Sequence, residues 1–382
     1  MNRGNTVLVP APAKAGGHVT IRPDDATLDA FAEELDALRA ETMSKVGQKD
    51  ADYIRRVIRW QRGLDMGGRV VMLVGFLSPL WWTGLFGVLM LAIAKILDNM
   101  EIGHNVMHGQ YDWMNDPNIN SRDFEWDNVG DANSWKRYHN HEHHTYTNII
   151  GKDRDYGYGI LRLSDDIAWR PRNLYQFFMY LKLSLLFEFG VAYHELAGER
   201  IFFGKKKKNS QLPISREELK QAFFRKIRRQ TFKDYVFYPL LCFPVLVPVL
   251  LGNLAANLIR NLWTSTVIFC GHFTESAHTF RAEDCEQETR GQWYFRQILG
   301  SSNFEGPRWL HILSGHLSCQ VEHHLFPDVP AYHYPEMAKT VEQICQRYGI
   351  PYNTGSFARQ YWTVLQRIVR YSFPTRRELA NA

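Results

Sequence analysis

Two long apolar stretches, separated by polar sequence, dominate the hydrophobic pattern of this 382-residue chain. The first covers residues 70–97, contains a single charged residue, Lys95, and is interrupted by the segment PLWWTG at 79–84. A helix needs about 20 residues to cross a bilayer, so two crossings must extend beyond the apolar run on both sides. The pattern therefore predicts a transmembrane helical hairpin with spans at about 58–79 and 83–104.

The second apolar stretch covers residues 235–270, with Arg260 as its only charge. The pair Gly252-Asn253 interrupts it, and both residue types are common in turns. We therefore expect a second hairpin, with spans at about 234–251 and 254–272.

A third apolar segment, residues 174–191, contains Lys182 and Glu188. Each charge would cost about 2.5–3.5 kcal/mol at the centre of a span, so we place this segment on the membrane surface. The predicted fold is an all-α membrane protein with two transmembrane helical hairpins, four spans in total. A cytosolic helical cap is formed by residues 105–233 and 273–360.

The net charge of +5 is modest, but basic residues cluster before each apolar stretch. Such clusters can bind nucleic acid or can flank membrane spans on the cytoplasmic side. The adjacent apolar runs favour the second interpretation, and no nucleic-acid partner is predicted. The clusters are Arg55, Arg56, Arg59, Arg62 and Arg69, then Lys205 to Lys208, and then Arg225, Lys226, Arg228, Arg229 and Lys233.

Outside the predicted 56–360 membrane domain lie a polar N-terminal tail with an amphipathic helix, 1–55, and a C-terminal tail, 361–382. The first residues have no continuous apolar core typical of a secretory signal. The five cysteines form no CxxC pair, which argues against a disulfide scaffold or a thiolate zinc site.

Histidines form three blocks beside this apolar sequence. Residues four apart share one face of a helix, and imidazole is a common ligand of iron, zinc and copper. The number of histidines implies more than one metal ion. The predicted ligands are His104 and His108, then His139, His143 and His144, then His272 after the last span, and finally His323 and His324.

Each block also has a simpler interpretation. His104 and His108 could be a hydrogen-bonded pair at a helix end, the second block could be a histidine-rich loop, and His272 could be a lone interfacial histidine. Sequence alone does not decide whether Gln320, His316 or His141 also contacts metal.

Carboxylates offer a further alternative. Glu101-Ile-Gly-His104 and Glu275-Ser-Ala-His278 match the ExxH motif of soluble di-iron bundles, but that hypothesis leaves both HisHis doublets unexplained. Acidic residues of the cap more plausibly orient imidazoles or face solvent. These are Asp123, Glu125, Asp127, Asp131, Asp153 and Asp155.

With these motifs, the chain resembles the integral-membrane fatty acid desaturases, whose histidine boxes read HxxxH, HxxHH or HxxxHH, and HxxHH or QxxHH. Here the boxes are His104–His108, His139–His144 and Gln320–His324, and the likeness covers about residues 60–355. The flanks HNVMHGQYDWMNDP and HHTYTNIIGKDRDYGYG are similar to bacterial acyl desaturases of the mycobacterial type.

The resemblance implies two iron ions held by the histidines, O2 as co-substrate, and a cis double bond introduced into a long acyl chain of an acyl-CoA or acyl-lipid. The acyl chain would lie in an apolar tunnel, and the boxes would face the cytoplasm at a bacterial inner or plasma membrane. The chain has no haem-binding HPGG segment, so electrons would come from a separate ferredoxin or NAD(P)H-dependent reductase.

Gln320 departs from the members that have His at the start of the third box, so it is not included among the predicted ligands and its contact with metal is left open. The alternative function on the same scaffold is a membrane di-iron hydroxylase or alkane monooxygenase. A metal transporter is disfavoured because transporters place ionisable ligands near the middle of the bilayer, whereas these histidines lie at span ends. Double-bond position, acyl headgroup and oligomeric state are left open.

Overall fold

The computed structural model describes residues 23–203, 215–375 and 378. This part of the chain is helical and contains no strand beyond two isolated bridges, which confirms the all-α prediction for it. The α-helices, in chain order, are α1 Asp25–Lys45, α2 Gln48–Leu77, α3 Gly84–Leu97, α4 Asn105–Met107, α5 Ala132–Trp135, α6 His144–Tyr146, α7 Gln176–Leu185, α8 Phe187–Glu195, α9 Gly198–Phe203, α10 Arg216–Phe232, α11 Tyr238–Leu241, α12 Leu246–His272, α13 Arg290–Leu299, α14 Arg308–Leu313, α15 Gln320–Leu325, α16 Tyr334–Tyr348 and α17 Phe357–Ser372.

Shorter helical segments connect them. Three are π-helical: Asp98–His104, Lys136–His143 and Lys233–Phe237. The 3₁₀ segments are Trp81–Thr83, Asp112–Met114, Tyr156–Gly159, Pro171–Tyr175, Phe243–Val245, Ala282–Cys285, Leu317–Cys319 and Ala331–His333.

The first hairpin, α2 and α3, turns where the sequence predicts. Glycines let its two helices approach closely. A Cβ on Gly75 would lie 2.3 Å from the backbone nitrogen of Gly84, and a Cβ on Gly87 would lie 2.5 Å from the carbonyl oxygen of Gly68. The backbones are therefore in contact along the hairpin, as small residues allow at helix interfaces in membranes.

The second hairpin differs from the prediction. Its first arm is α10 with the following π-helical turn and α11, and its second arm is α12. The chain turns at Cys242–Val245, and α12 continues through Gly252-Asn253 without a break. The predicted turn at Gly252-Asn253 is therefore wrong, and the extent of the membrane spans stays a prediction.

Contacts between the hairpins explain this difference. A Cβ on Gly252 would lie 2.9 Å from Met72 Sδ and 3.1 Å from Val88 Cγ2, so the glycine makes room for the first hairpin. The Asn253 side-chain amide donates to the carbonyl oxygen of Asp234 at 2.6 Å. Both residues are used for helix packing rather than for a turn.

The third apolar segment forms α7 and α8, which meet at an angle of 95°. Glu188, whose charge favoured a surface position, is buried and lies 2.7 Å from the Arg260 guanidinium. The charge is thus compensated inside the protein. A location on the membrane surface stays a prediction.

Among the described residues, one helix is long and apolar enough to cross a membrane, Phe243–His272, and the bent pair α7–α8 would count as a second. The arms α2, α3 and α10–α11 do not pass this test of length and composition. Four spans and a cytosolic cap therefore stay predictions.

Helices outside the hairpins share large apolar cores. Helix α1 packs on α13 and α16, with Leu28, Phe31, Tyr294 and Ile298 fully buried. Helix α17 packs on α7 and α12. The predicted domain boundaries at 55 and 360 fall inside α2 and α17. The N-terminal residues 1–22 and the cluster Lys205–Lys208 lie outside the described residues.

Candidate metal centre

The histidine blocks are carried by short, irregular helical segments. His104 ends one π-helical segment, with His108 directly after α4, and His139 and His143 lie on another, with His144 starting α6. π-Helical turns widen a helix and are frequent at functional sites. His272 is the last residue of α12, and His323 and His324 lie on α15.

All eight predicted histidines converge. In cluster A, one ring nitrogen from each histidine lies within 4.8 Å of the others; its members are His104, His108, His139 and His323. Cluster B satisfies the same distance with His143, His272 and His324. His144 lies between the clusters, within 4.8 Å of His323 and His324.

The outer nitrogens of cluster B face hydrogen-bond acceptors. Nδ1 of His143 lies 3.1 and 3.2 Å from the Asp153 carboxylate oxygens, and Nδ1 of His272 lies 3.3 Å from the Gly300 carbonyl oxygen. Each imidazole therefore carries its proton on Nδ1 and leaves a lone pair on Nε2.

Those lone pairs are crowded together. Nε2 of His272 lies 3.3 Å from Nε2 of His143 and 3.0 Å from Nε2 of His324. Lone pairs at this separation repel one another unless a cation lies between them. The arrangement fits a metal ion ligated by the three Nε2 atoms.

Cluster A and His144 carry unpartnered nitrogens. His108 Nε2, His139 Nε2 and both ring nitrogens of His144 and His323 are buried without a hydrogen bond to the described residues. A buried polar atom left without a partner costs about 1–3 kcal/mol. A metal ion would satisfy one nitrogen of each of these rings, so the residues present fit a second ion here.

Seven of the eight clustered histidines have a lowered pKa, which suits ligation, and His143 is the exception. Burial lowers the pKa of His144, His323 and His324 well below the ordinary value, and the neighbouring imidazoles lower it further. For His143, burial alone would lower the pKa, but the Asp153 carboxylate raises it overall. Neutral imidazole is the form that binds metal.

Only some of the acidic candidates reach imidazoles. Asp153 contacts His143, and Asp155 lies 3.6 Å from His139 and 3.0 Å from His194. Asp127 instead pairs with Lys95 and Lys233. Of the remaining three, Asp123 pairs with Arg122, Glu125 with Lys226, and Asp131 caps α5.

The three undecided residues behave differently. Gln320 reaches the site: its side-chain nitrogen lies 3.0 Å from His272 Nε2, and its oxygen has no hydrogen bond to the described residues. His316 Nδ1 lies 2.9 Å from Glu101, outside both clusters. His141 is exposed and belongs to neither cluster.

The carboxylate-bundle alternative is not supported by the geometry. Glu101 binds the Tyr53 hydroxyl at 2.6 Å as well as His316, and it contacts neither cluster. Glu275 is exposed and lies 3.6 Å from Arg370. The imidazole clusters therefore carry the candidate site.

Sequence reasoning missed several residues that surround the histidines. Gln297 lies 3.0 Å from His324 Nδ1, and the Trp135 ring stacks on His139 at 4.3 Å between centroids. Asn105, inside the first box, lies 3.2 Å from His104 Nδ1. Asn105 is adjacent in sequence to the predicted ligand His104, whereas no motif near Gln297 indicates that it belongs to the site.

A cavity opens beside both clusters, with about 810 Å³ of space between its walls when the part open to solvent is included. Its walls include Trp135, Phe187, Val191 and Ile268. Towards the hairpins it also meets polar groups, including the Arg260–Glu188 pair, Asn99, Asn261 and Thr264. The tunnel expected to be apolar is therefore mixed in character.

Residues 79–356 match a family described as fatty acid desaturase. The chain is 43% identical over 364 residues to an NADPH-dependent stearoyl-CoA 9-desaturase of Mycobacterium tuberculosis, covering 94% of this chain and 83% of that protein.

A second relative is an sn-1 linoleoyl-lipid 6-desaturase of Synechocystis, 29% identical over 274 residues, 70% of this chain and 74% of that protein. The chain belongs to the fatty acid desaturase family. It is a desaturase, an oxidoreductase of lipid metabolism.

Proposed function

We propose that this chain is a membrane-embedded desaturase that introduces a cis double bond into a long-chain acyl-CoA. Eight imidazoles collected in two adjoining clusters carry the proposal, because their donor set fits two metal ions. The acyl-CoA assignment is supported by the stearoyl-CoA 9-desaturase at 43% identity, whereas an acyl-lipid substrate would follow the more distant relative.

The exposed surface of α12 supports a bilayer crossing. From Phe243, in the 3₁₀ turn that leads into α12, to Leu262 the exposed residues are apolar. Between Leu262 and His272 no residue is exposed. These 20 residues correspond to about 30 Å of helix, the thickness of a hydrocarbon core. The histidine end then extends about 15 Å beyond this boundary.

The other arms can cross beside α12. Trp81 and Trp82 are 61% and 48% exposed at the tip of the first hairpin, as is typical of interfacial aromatic residues. Arg69 on α2 pairs with Asp65 at 3.0 Å and lies 3.4 Å over the Tyr238 ring, so its charge is compensated. We therefore retain four spans, with the turn of the second hairpin moved to Cys242–Val245, and place the histidines on the cytoplasmic side.

The cavity is suited to an acyl chain. Trp135, Phe187, Val191 and Ile268 provide an apolar wall beside His139, His143 and His272, so a bound methylene pair can be held next to the clusters while water is excluded. Two iron ions, with O2, two electrons and two protons, would supply the oxidation that removes two hydrogens from the chain and yields two waters.

Protein side chains set the orientation of the proposed ligands. Asp153 holds His143, the Gly300 carbonyl holds His272, and each directs an Nε2 lone pair inwards. The relative at 43% identity is named NADPH-dependent, so we propose a separate ferredoxin or NAD(P)H-dependent reductase as electron donor.

The test combines product analysis with metal content. The chain is expressed in a host that lacks unsaturated fatty acids, and its lipids are analysed by gas chromatography and mass spectrometry. We expect new cis-unsaturated chains, and about two irons for each purified chain. Hydroxylated products would favour the monooxygenase alternative, and a chain without iron would contradict the metal assignment.

A matched pair of variants sharpens the test. His324→Ala should abolish desaturation and lower bound iron, because His324 belongs to cluster B. His141→Ala, which changes an exposed histidine of the second block, should retain both. Equal behaviour of the two variants would contradict the ligand assignment.

A further inference from the structure

Two buried amide side chains face one predicted ligand in each cluster. Gln297 on α13 faces His324 of cluster B, and Asn105 on α4 faces His104 of cluster A. Both amide residues have no exposed surface. In each amide the nitrogen donates a hydrogen bond to a carbonyl oxygen and the oxygen faces the imidazole, which fixes the orientation of the amide.

The orientation of Gln297 follows from its surroundings. Its Nε2 donates to the His144 carbonyl oxygen at 2.9 Å, and its Oε1 lies 3.0 Å from His324 Nδ1. The reverse orientation would place two acceptor oxygens against each other. His324 must therefore donate from Nδ1, which leaves the Nε2 lone pair directed at His272.

A second acceptor strengthens this arrangement. Thr147 Oγ1 lies 3.2 Å from His324 Nδ1, and its own hydrogen is donated to the His143 carbonyl oxygen at 2.8 Å. The hydroxyl can therefore only accept from the imidazole. Two acceptors at one ring nitrogen exclude the other tautomer of His324.

The orientation of the Asn105 amide in cluster A follows from its contacts in the same way. Its Nδ2 donates to the Glu101 carbonyl oxygen at 3.0 Å and points to the Gly315 carbonyl oxygen at 3.5 Å. Its Oδ1 is left to accept from His104 Nδ1 at 3.2 Å. The Nε2 lone pair of His104 is then available to a metal ion.

Helix α13 also fastens the second histidine block. Arg296 is almost fully buried, and its guanidinium donates to the carbonyl oxygens of Thr145 and Thr147 at 2.9 and 3.1 Å. Glu288 compensates its charge at 2.7 Å. Neighbouring residues of α13 thus hold the second block through Arg296 and the third through Gln297.

We propose that Gln297 and Asn105 are positioning residues, each of which selects the metal-binding tautomer of one histidine, His324 in cluster B and His104 in cluster A. This inference rests on the proposed function, because it assumes that the clusters bind metal. It adds that each amide affects metal binding at its own cluster and leaves metal binding at the other cluster unchanged.

The experiment measures metal binding in the purified full-length protein, independently of turnover. Metal-free protein is titrated with Co²⁺, whose visible absorption reports ligand number and geometry. Wild type should bind two ions. Gln297→Leu should weaken one site about 10–100-fold and change its absorption, and Asn105→Leu should do the same to the other site.

Conservative variants separate positioning from general stability. Gln297→Glu retains an acceptor towards His324 and can donate a carboxyl proton to the His144 carbonyl, so it should restore the wild-type absorption. Gln346→Leu, at an exposed glutamine of α16, is the matched control and should bind both ions normally. Melting temperatures are recorded for each variant.

The outcomes are distinct. The proposal would be overturned if Gln297→Leu bound Co²⁺ with wild-type affinity and absorption. It would also be overturned if Gln297→Glu lost as much affinity as Gln297→Leu, or if Gln297→Leu lost both ions together. If Gln297→Leu fails to fold, Thr147→Val tests the same tautomer through the second acceptor, and normal absorption there would contradict it. Failure of wild type to bind two ions would instead refute the proposed function.

Discussion

Replacing Asp153 by Asn should weaken metal binding at cluster B while barely changing the size of the side chain. The Asp153 carboxylate is almost completely buried and accepts four contacts. Its oxygens face His143 Nδ1 at 3.1 and 3.2 Å, the Asn148 backbone N–H at 2.8 Å and the Asp155 backbone N–H at 2.9 Å.

An amide cannot serve all these donors. Each carboxylate oxygen accepts from one backbone N–H, so in Asp153→Asn the new NH2 must face one of them and leave it without an acceptor. A buried donor without an acceptor costs about 1–3 kcal/mol of stability. The imidazole also loses a charged acceptor, and loss of such an outer partner lowers metal affinity about 10–100-fold.

The assay is equilibrium competition for Fe²⁺ or Co²⁺ against a chelator, with a thermal melt of the metal-free protein. Asp123→Asn is the matched control, because the Asp123 side chain is more than half exposed and pairs with its neighbour Arg122 rather than with a histidine of the clusters. The reasoning would be refuted if the Asp153→Asn variant had the same metal affinity and the same melting temperature as the Asp123→Asn variant.

Three further predictions concern the hairpins. Gly252→Leu should destabilise the protein by about 1–3 kcal/mol, because the new side chain overlaps Met72. In the control Gly63→Ala the new Cβ has no atom within 4 Å, so this variant should be neutral or stabilising. Equal melting temperatures of the two variants would contradict the contact between the hairpins. Lys95→Met should cost about 3–5 kcal/mol, because it leaves Asp234 buried without its 2.8 Å partner; a normal melt would contradict this. The double variant Lys95→Met with Asp234→Leu should recover most of that loss, and a double variant as unstable as the single one would contradict the pair assignment.

The sequence predicted the histidine site because its signal is local. His139, His143 and His144 lie within six residues, and HisHis doublets are rare, so spacing alone indicated shared ligation. Spacing could not say which histidines share an ion. That depends on contacts between α12, α15 and the π-helical segments, which pair His143 with His272 and His324.

The turn of the second hairpin was mispredicted because local preference competed with packing. Gly252 and Asn253 favour turns in isolation, but Met72 and Val88 require a glycine at 252, and the carbonyl oxygen of Asp234 binds Asn253. These partners are distant in sequence. Burial of the interface therefore decides against the local propensity.

The acidic candidates illustrate the same limit. Asp127 and Asp153 looked equivalent in sequence, yet Asp127 pairs with Lys95 and Lys233 whereas Asp153 holds His143. The role of Gln297 could not be predicted from the sequence, because Gln297 lies 27 residues from His324. Residues that act through another side chain are identified only when the fold brings them together.

The outer hydrogen bonds also prepare the pocket before any metal arrives. Asp153, Gly300 and Gln297 each offer an acceptor to Nδ1, so three Nε2 lone pairs are directed at one point in the folded chain. Burial and the neighbouring imidazoles depress the pKa of His324, which disfavours a proton as the compensating cation there. A metal ion relieves the lone-pair repulsion without reorganising the side chains, so metal binding should stabilise the folded protein as well as equip it for oxidation.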